Sequence, residues 1–524
     1  MAVETFAAID VGSFELGMKI FEFSKKGSIR EIDHIRQRVD IGSDTYADGK
    51  ISYKNMEELC RVLREFTRIM KSYHVEKYRA YGTSAIRETD NTPIVVDQIR
   101  QRTGLEIGVL SNSEQRFLDY KAVALKTKDF EKIIEEGALI LDIGGGSIQL
   151  SLFENGKLLT TQNMRMGVLR IDEEMMEMEP KISRIRELLS EMTEHHLETF
   201  RELFLGSKKV RNLIVIDDYV SQIIQKRAAY ANGGESGHNT SRLEIAQFNK
   251  FINELHSKSQ EELSGMLGIP EENAKLMYIS AALVSEVAQM CKSDKIMAPG
   301  VTLCDGIAYE YAQTHKLIPD THDFVGDIVS CAQHIALRYN GREDHIKVLE
   351  KLSLEIFDSM KKMHGLGARE RLLLRIAVRL HDIGKYVSMS LLGESAYRIV
   401  MATEIIGLSH SEREIVARII KYNYDDYEYQ DDKHGHNMNE HIDESELVIA
   451  KLTAILRLGN ALDRSHKQKI RNISVSHKDD LLIIGVDCEG DITLERNRVD
   501  RCGSFFGEIF AVRPVIVKKS SVKK

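Results

Sequence analysis

Two short stretches of the sequence place an acidic residue directly before a glycine-rich turn. Asp142 ends an apolar run and is soon followed by three glycines and Ser147. Asp10 ends another apolar run, and Gly12 and Ser13 come after it. Backbone N–H groups in such turns can close on an anion, and a carboxylate can hold a hydrated cation. The stretches therefore predict a cation ligand, Asp142, and phosphate-binding residues, which are Asp10, Gly12, Ser13, Gly144, Gly145, Gly146 and Ser147.

Both turns lie between predicted strands. After the second turn, the runs Gln149 to Phe153 and Lys157 to Thr161 are separated by Asn155-Gly156. An Asn-Gly pair between two such runs predicts a hairpin, because both turn residues must take positive φ. The stretch Thr5 to Phe23 repeats the plan of strand, turn and strand. A lone Asp-x-Gly is usually an ordinary tight turn, but two copies in the same setting favour a functional role.

A third candidate anion site lies between Tyr78 and Arg87, where a predicted strand runs into Thr83, Ser84 and a helix start that bears Arg87. Hydroxyl and N–H groups at a helix N-terminus favour an anion, and an arginine can bridge two phosphate oxygens. The alternative is a simple Thr/Ser helix cap with a solvated arginine. Upstream of this stretch, Tyr46 to Gly49 predicts a turn.

Glu114 is the candidate base. A predicted strand around Val109 ends in a polar turn, and a helix is predicted from Gln115 to Leu125, so Glu114 lies at the helix start. A carboxylate at that position is often only a capping group. The functional alternative is a base that orients a water molecule against a phosphorus atom.

Four of these segments occur in an order that resembles a known family. AIDVGS, YGTSAIRE followed by Asn91, VLSNSEQ and DIGGGS resemble the exopolyphosphatase/guanosine pentaphosphate phosphohydrolase family, and the resemblance continues through Gly167 and Gly306. That family belongs to the wider fold of actin, sugar kinases and heat-shock chaperones. The resemblance implies an α/β, two-lobed, actin-like (duplicated ribonuclease H-like) N-terminal part. A mainly α HD-like domain and a small α+β C-terminal segment are expected to follow.

The resemblance also implies roles for the candidate residues. Glu114 would be the catalytic base, Asp142 would help to hold Mg²⁺, the two glycine turns would cradle phosphate and Arg87 would clamp it. Phosphoryl transfer needs mostly positioning and charge neutralisation, which such a set supplies. The sequence departs from the family where Ile148 and Gln149 replace a Thr-Glu pair. Another departure is Asp217-Asp218-Tyr219, where a Gly-Thr-rich turn is expected; these carboxylates would repel phosphate unless a cation intervenes.

The C-terminal half contains a His, His-Asp, Asp set. His381 and Asp382 are adjacent at a predicted helix end, His345 lies upstream and Asp463 downstream. Imidazoles with carboxylates suit a transition metal or Mg²⁺. Relatives often carry an HD-like domain whose site is eroded, and here the following segment, SMSLLGESAYRIV, lacks the histidines that would complete a two-metal site. Metal binding and an eroded site therefore both stay open. His434 and His436, in an acidic loop, are assigned to the surface.

The predicted domains are 1–125 and 126–318 for the two lobes, 324–468 for the HD-like domain and 469–524 for the C-terminal segment. In the last segment we predict strands at Ile473–Ser476 and Leu481–Val486, then a helix to Phe510. A further exposed loop is predicted at Gly233–Gly237.

Composition limits the function classes. The chain is 43% hydrophobic and 29% charged, with a net charge of −8, which argues against a general DNA-binding protein. Its six cysteines are scattered without a Cys-x-x-Cys pair, and no apolar run is long enough to cross a bilayer. We expect a cytoplasmic protein without a membrane partner, and the resemblance suggests a homodimer.

The expected function is Mg²⁺-dependent release of orthophosphate from the ends of inorganic polyphosphate. One alternative is a guanosine pentaphosphate 5′-phosphatase. The other is a regulatory protein that binds polyphosphate or an alarmone without efficient turnover, an option that Gln149 and Asp217-Asp218 keep open.

Overall fold

The computed structural model describes residues 4–24, 27–178, 185–217, 220–221, 223–224, 242–256, 258, 260–267, 271–429, 444–488 and 490–518. The chain divides into two compact units, Met1–Phe324 and Val325–Lys524. Several sequence-based predictions lie outside the described residues: those on Asp218, Tyr219, the loop at 233–237, His434 and His436.

The first lobe of the first unit is built on a five-stranded sheet. Its strands are β1 (Glu4–Val11), β2 (Glu15–Phe23), β3 (Ile29–Arg38), β4 (Lys77–Gly82) and β5 (Gly108–Val109). Their order is β3-β2-β1-β4-β5, with β1 antiparallel to β2 and parallel to β4. Because β1 and β4 are central and parallel, residues at their carboxyl ends meet at one edge of the sheet.

The second lobe repeats this arrangement in a six-stranded sheet. Its strands are β6 (Ala138–Ile143), β7 (Ile148–Glu154), β8 (Lys157–Met164), β9 (Asn212–Asp217), β10 (Arg242–Glu244) and β11 (Lys295–Met297). The order is β10-β11-β9-β6-β7-β8. Between β7 and β8, Asn155 and Gly156 have φ values of 51° and 71°, so the predicted hairpin is confirmed.

Helices cover both sheets of the first unit. They are α1 (Gly42–Asp48), α2 (Tyr53–Ser72), α3 (Ser84–Glu88), α4 (Thr92–Thr103), α5 (Asn112–Lys126), α6 (Phe130–Glu135), α7 (Val168–Met178), α8 (Ile185–Phe200), α9 (Ile245–His256), α10 (Gln260–Leu267), α11 (Glu271–Cys291) and α12 (Leu303–Thr314), with a π-helical turn at Arg201–Leu205. The predicted turn at Tyr46–Gly49 is wrong. Tyr46 lies in α1, and only Gly49, at φ 72°, ends the helix with the left-handed conformation that glycine allows.

Helix α12 follows the second lobe in the chain but packs on the first. Leu303, Ile307 and Tyr311 share a buried apolar cluster with Phe6 and Phe21 of β1 and β2. A buried ion pair fixes the same contact. The Lys19 Nζ atom of β2 lies 2.9 Å from Asp305 Oδ2 at the start of α12. The predicted lobe boundary at 318 did not anticipate this return of the chain.

The second unit is mainly helical. Its helices are α13 (Phe324–Arg338), α14 (Glu343–Ser359), α15 (Lys361–His364), α16 (Ala368–Leu380), α17 (Leu392–Ala402), α18 (His410–Tyr424), α19 (Glu444–Leu462) and α20 (Thr493–Phe510), with a 3-10 turn at Ile383–Tyr386. No helix in the described part of the chain combines the length and apolar character needed to cross a bilayer.

A small sheet follows the helices of the second unit. Its strands are β12 (Ile470–Lys478), β13 (Leu481–Cys488) and β14 (Arg513–Lys518), in that order. The two predicted strands are confirmed in slightly longer form, and the helix does end at Phe510. The third strand was missed. It pairs parallel to β13, and helix α20 connects the two strands, so no local sequence pattern predicts the pairing.

Candidate active site

The ends of three strands meet at one edge of the first sheet. Thr83 N, just after β4, donates to Val11 O at the end of β1 (3.2 Å). Leu110 N, just after β5, donates to Gly82 O (3.1 Å). The segments that follow β1, β4 and β5 therefore lie side by side. These segments carry the predicted residues Gly12, Ser13, Thr83, Ser84 and Glu114, and Asp10 lies in β1 just before its last residue.

Three hydroxyl groups form a cluster at this edge. The Ser13 Oγ atom lies 2.8 Å from Tyr46 Oη and 3.0 Å from Ser84 Oγ, and Tyr46 Oη donates to Ser84 Oγ at 3.2 Å. Burial raises the pKa of Tyr46 above its ordinary value, although hydrogen bonds from Ser13 and Ser84 act against this. Tyr46 is therefore a neutral phenol that joins two of the predicted phosphate-binding residues, and sequence reasoning missed it.

The glycine turn after β6 has its carbonyl groups engaged on one side. Val168 N donates to Gly144 O (3.1 Å), Leu169 N to Gly145 O (2.9 Å) and Arg170 Nε to Gly146 O (3.2 Å). In the described chain, no backbone carbonyl accepts a hydrogen bond from Gly145 N or Gly146 N. Gly144 N closes the turn by donating to Ser147 O (2.9 Å), so the two amides that follow it, at Gly145 and Gly146, are the ones that suit an anion.

The turns of the two lobes lie against each other. A Cβ atom added at Gly145 would lie 3.3 Å from Ser13 Cβ, and one added at Gly146 would lie 2.3 Å from Tyr46 Oη. Arg170 also joins the lobes, since its Nη2 atom lies 3.1 Å from Glu88 Oε2. The predicted pair of turns therefore shares one location, which the strand order of two separate sheets brings about.

Glu114 lies in the first turn of α5, where its side chain completes a capping box. Ser111 N and Ser111 Oγ donate to Glu114 Oε2 at 3.0 and 2.7 Å, and Glu114 N donates back to Ser111 Oγ. All of these bonds to the carboxylate use one oxygen, Oε2. The capping role that the sequence left open is thus present, and it does not conflict with a second role for the half-buried carboxylate.

Helix α5 reaches the second lobe through a buried polar contact. Arg116 Nε donates to Gln149 Oε1 at 2.9 Å, and these two residues are 2% and 3% exposed. Gln149 is the strand partner of Asp142 across β6 and β7. The Arg116 contact therefore brings helix α5, whose first turn carries Glu114, to the strand pair that carries Asp142. Asp10 and Asp142 are both half-buried at strand ends, and their carboxylate oxygens are the donor type that Mg²⁺ prefers.

Two predicted residues have other partners. Arg87 Nη1 donates to Leu110 O (2.7 Å), which places this guanidinium at the end of β5, and its phosphate-binding role stays a prediction. Asp217, the departure at the end of β9, is buried. Its carboxylate accepts hydrogen bonds from the amides of Val220 and Ser221 and from the Ser280 hydroxyl. Donors from the protein therefore satisfy the Asp217 charge.

In the second unit, the four predicted metal ligands are buried close together. His345 Nδ1 lies 2.8 Å from Asp463 Oδ2, and the rings of His345 and His381 are 5.1 Å apart. The Nε2 atoms of both histidines are buried, and no residue that the structure describes forms a hydrogen bond with them. Asp382, however, forms an ion pair with Lys385 through Oδ1, and the same atom accepts a hydrogen bond from Tyr424 Oη (2.8 Å).

This arrangement does not by itself make a metal centre. Burial lowers the pKa of His381 to about 4. Burial would raise the pKa of Asp382, but His381 and Lys385 outweigh it and lower that pKa to about 2. The described residues contain no group of three or more His, Cys, Asp or Glu side chains arranged to hold a metal ion. The Lys385 ammonium already supplies a positive charge to Asp382 and would have to move for Asp382 to bind a metal ion. Metal binding at this cluster stays a prediction.

Gly167 provides a test of the turn geometry. A Cβ atom at Gly167 would lie 2.3 Å from both Gly145 O and Ser147 N, which are backbone atoms and must shift together. We expect Gly167→Ala to lower the rate of phosphate release about 100-fold, because small misplacements of positioning groups have effects of that order. Gly265→Ala is the matched control, since nothing lies within 4 Å of its Cβ position. Equal rates for the two variants would contradict a role for this turn.

Comparison with known proteins identifies the family. The profile described as "Ppx/GppA phosphatase family" matches residues 20–315, and the profile for domain III of the same family matches residues 330–495. A guanosine-5'-triphosphate,3'-diphosphate pyrophosphatase of Aliivibrio fischeri is 20% identical, over 92% of this chain and 91% of its own. Exopolyphosphatase 1 of Mycobacterium bovis is 22% identical, over 64% of this chain and 94% of its own.

The fold has a solved counterpart. The crystal structure of an exopolyphosphatase from Cytophaga hutchinsonii superposes with a TM-score of 0.53 at 17% identity, over 60% of this chain and 100% of that one. The predicted actin-like fold of the N-terminal part is thereby confirmed, while the HD-like character of the second unit stays a prediction. The first profile alone matches more than half of the residues of this chain, so the chain belongs to the Ppx/GppA phosphatase family.

Proposed function

We propose that this member of the family releases terminal orthophosphate from inorganic polyphosphate. The observation that carries the proposal is the meeting of the two turns, where Ser13, Ser84 and Tyr46 face Gly145 and Gly146. The amides of Gly145 and Gly146 would bind the phosphate oxygens, and the hydroxyl cluster would donate hydrogen bonds to them.

The reaction needs a water molecule, a base and charge neutralisation. Glu114 would accept a proton from the water as its oxygen attacks the terminal phosphorus, and the bond from that phosphorus to the bridging oxygen would break. Asp142, with Asp10 nearby, offers the oxygen ligands for Mg²⁺, which would neutralise charge on the phosphates when bound. Arg170 lies at the same turn but is already paired with Glu88, whereas Arg87 donates to the neutral Leu110 carbonyl and would clamp the phosphate.

A second candidate is the 5′-phosphatase reaction on guanosine pentaphosphate. One observation favours it. The relative named for that nucleotide aligns over 92% of this chain, whereas the relative named exopolyphosphatase aligns over 64%. A third candidate, binding without turnover, rests on Gln149. This residue puts a neutral amide against Arg116, where the family commonly has a carboxylate.

Phosphate release by the purified protein with Mg²⁺ separates the three. Long polyphosphate, tripolyphosphate and guanosine pentaphosphate would be supplied separately, and orthophosphate would be measured over time. We expect the highest kcat/KM with long polyphosphate. A clear preference for guanosine pentaphosphate would favour the second candidate. Tight binding of either anion without phosphate release would favour the third.

A further inference from the structure

The second unit contains a cavity of about 270 Å³ that the proposed function does not use. Four cationic side chains line it: Lys385, Arg457, Arg464 and Arg498. None of its lining residues is acidic. The cavity is slightly smaller than the range of roughly 300–1,000 Å³ that is usual for ligand pockets, so it suits a small ligand.

Three of these cations keep their charge unpaired within the described chain. Arg457 donates to two backbone carbonyls, Tyr422 O and Asp425 O, both at 2.6 Å. In the residues that the structure describes, no carboxylate forms an ion pair with Arg457, Arg464 or Arg498. Lys385 differs, since it is bound to Asp382. Like charges gathered around a cavity repel one another, and an anion inside the cavity would relieve that repulsion.

A buried donor without a partner lies at the same place. Asn423 lines the cavity and is 5% exposed, and its Nδ2 atom is buried without a hydrogen-bond partner in the described structure. Such an unpaired buried donor is uncommon in folded proteins unless a ligand or water completes the site. Guanidinium groups with an amide donor are the set that binds phosphate oxygens.

Part of the wall is apolar. Met389, Leu392 and Ala461 line the cavity beside the cations, and Met389 is 76% exposed. A wall of this kind tolerates an organic group attached to the phosphate. The phosphate itself is the part that the arginines and Asn423 can recognise.

We propose that this cavity is a second anion site, which binds a small ligand through a terminal phosphate group. The ligand is either an inorganic phosphate compound or a phosphate monoester. The site belongs to the second unit alone, and it does not depend on the hydrolysis proposed for the first unit.

Hydrogen exchange of the full-length protein tests this proposal with local resolution. The probes are inorganic pyrophosphate, AMP and adenosine. We expect pyrophosphate, AMP or both to slow amide exchange in peptides that contain Arg457–Arg464 and Arg498, and adenosine to have no effect. Protection by pyrophosphate identifies an inorganic ligand, and protection by AMP alone identifies a monoester. Equal protection by adenosine, or no protection by any probe, would overturn the proposal.

The double variant Arg464→Ala/Arg498→Ala removes two exposed cations that make no internal hydrogen bond in the described structure, so it should fold. It should raise the half-saturating concentration of the protecting probe about tenfold or more, because charge-assisted hydrogen bonds are lost. Lys467→Ala/Arg496→Ala is the control, because it removes the same charge from exposed residues outside the cavity. Equal weakening in both double variants would show that net charge alone is responsible and would overturn the site. Phosphate release from polyphosphate, measured in parallel, reports on the first unit separately.

Discussion

Replacing Glu114 by glutamine is expected to lower the rate of phosphate release about 100- to 10,000-fold, the usual contribution of a general base. Glutamine cannot accept the proton of the attacking water. It can still complete the capping box with Ser111, because glutamine serves at that position as well as glutamate does. Helix α5 should therefore keep its start, and the melting temperature should change little. Initial rates on polyphosphate, with melting curves of the same preparations, measure both effects.

Ser111→Ala is the matched control for the Glu114 variant. It removes the hydroxyl that donates to Glu114 Oε2 and accepts from Glu114 N, but it leaves the carboxylate in place. We expect a loss of about 1 kcal/mol in stability, as for other caps, and only a modest fall in rate. If Ser111→Ala lowered the rate as much as Glu114→Gln, the carboxylate would act through the helix cap and not as a base.

Among the substitutions proposed here, Lys19→Met should lower stability most, by about 3–5 kcal/mol in the free energy of unfolding of the first unit. The side chains of Lys19 and Asp305 are 4% and 1% exposed, so the substitution leaves a buried carboxylate with Lys126 Nζ, at 3.4 Å, as its remaining cationic partner. Chemical unfolding monitored in the first unit measures the loss. Lys208→Met is the control, since Lys208 pairs with Glu154 at the surface and should contribute about 1 kcal/mol or less.

The pH dependence of this pair has a definite sign. Burial would raise the pKa of Asp305, but Lys19 and Lys126 outweigh it and lower that pKa below 3.8. Burial would lower the pKa of Lys19, but Asp305 and Glu31 outweigh it and raise that pKa above 10.5. The Asp305 contribution is therefore lost as the pH falls through its lowered pKa, and the Lys19 contribution as the pH rises through its raised pKa. His34, the strand partner of Lys19, also responds to the substitution, because burial and the Lys19 charge lower its pKa. Above the pH range in which His34 titrates and below the pKa of Lys19, the difference in stability between wild type and Lys19→Met should be constant; a steady change within that range would contradict the ion pair.

Local patterns in the sequence were sufficient for the parts of the site that depend on neighbouring residues. Asp10 with Gly12-Ser13, Asp142 with its glycines and Asn155-Gly156 each combine a strand end with a turn, and turn chemistry depends on the residues themselves. The turn predicted around Tyr46 failed for the opposite reason. Only the end of that segment has a turn signal, and the helix before it is stabilised by packing, which sequence periodicity over so few residues does not reveal.

Contacts between distant residues were beyond sequence reasoning. Arg170 reaches Glu88 and Gly146, and Arg116 reaches Gln149, only because two sheets with separate strand orders meet. Arg87 carried the stronger motif, and in the structure it donates to Leu110 O at the end of the neighbouring strand β5. The fold thus adds Arg170 as a second arginine beside the glycine turn, and the role of Arg87 stays a prediction.

The return of α12 to the first sheet makes the second lobe an insertion within the first. During synthesis, β1 and β2 leave the ribosome long before Leu303–Thr314 is made. The apolar surface around Phe6 and Phe21 therefore stays exposed until that helix can pack on it. A fragment ending at residue 125 would expose that surface and would leave Lys19 without its partner Asp305. The nascent chain can therefore complete its N-terminal lobe only after the inserted lobe has been translated.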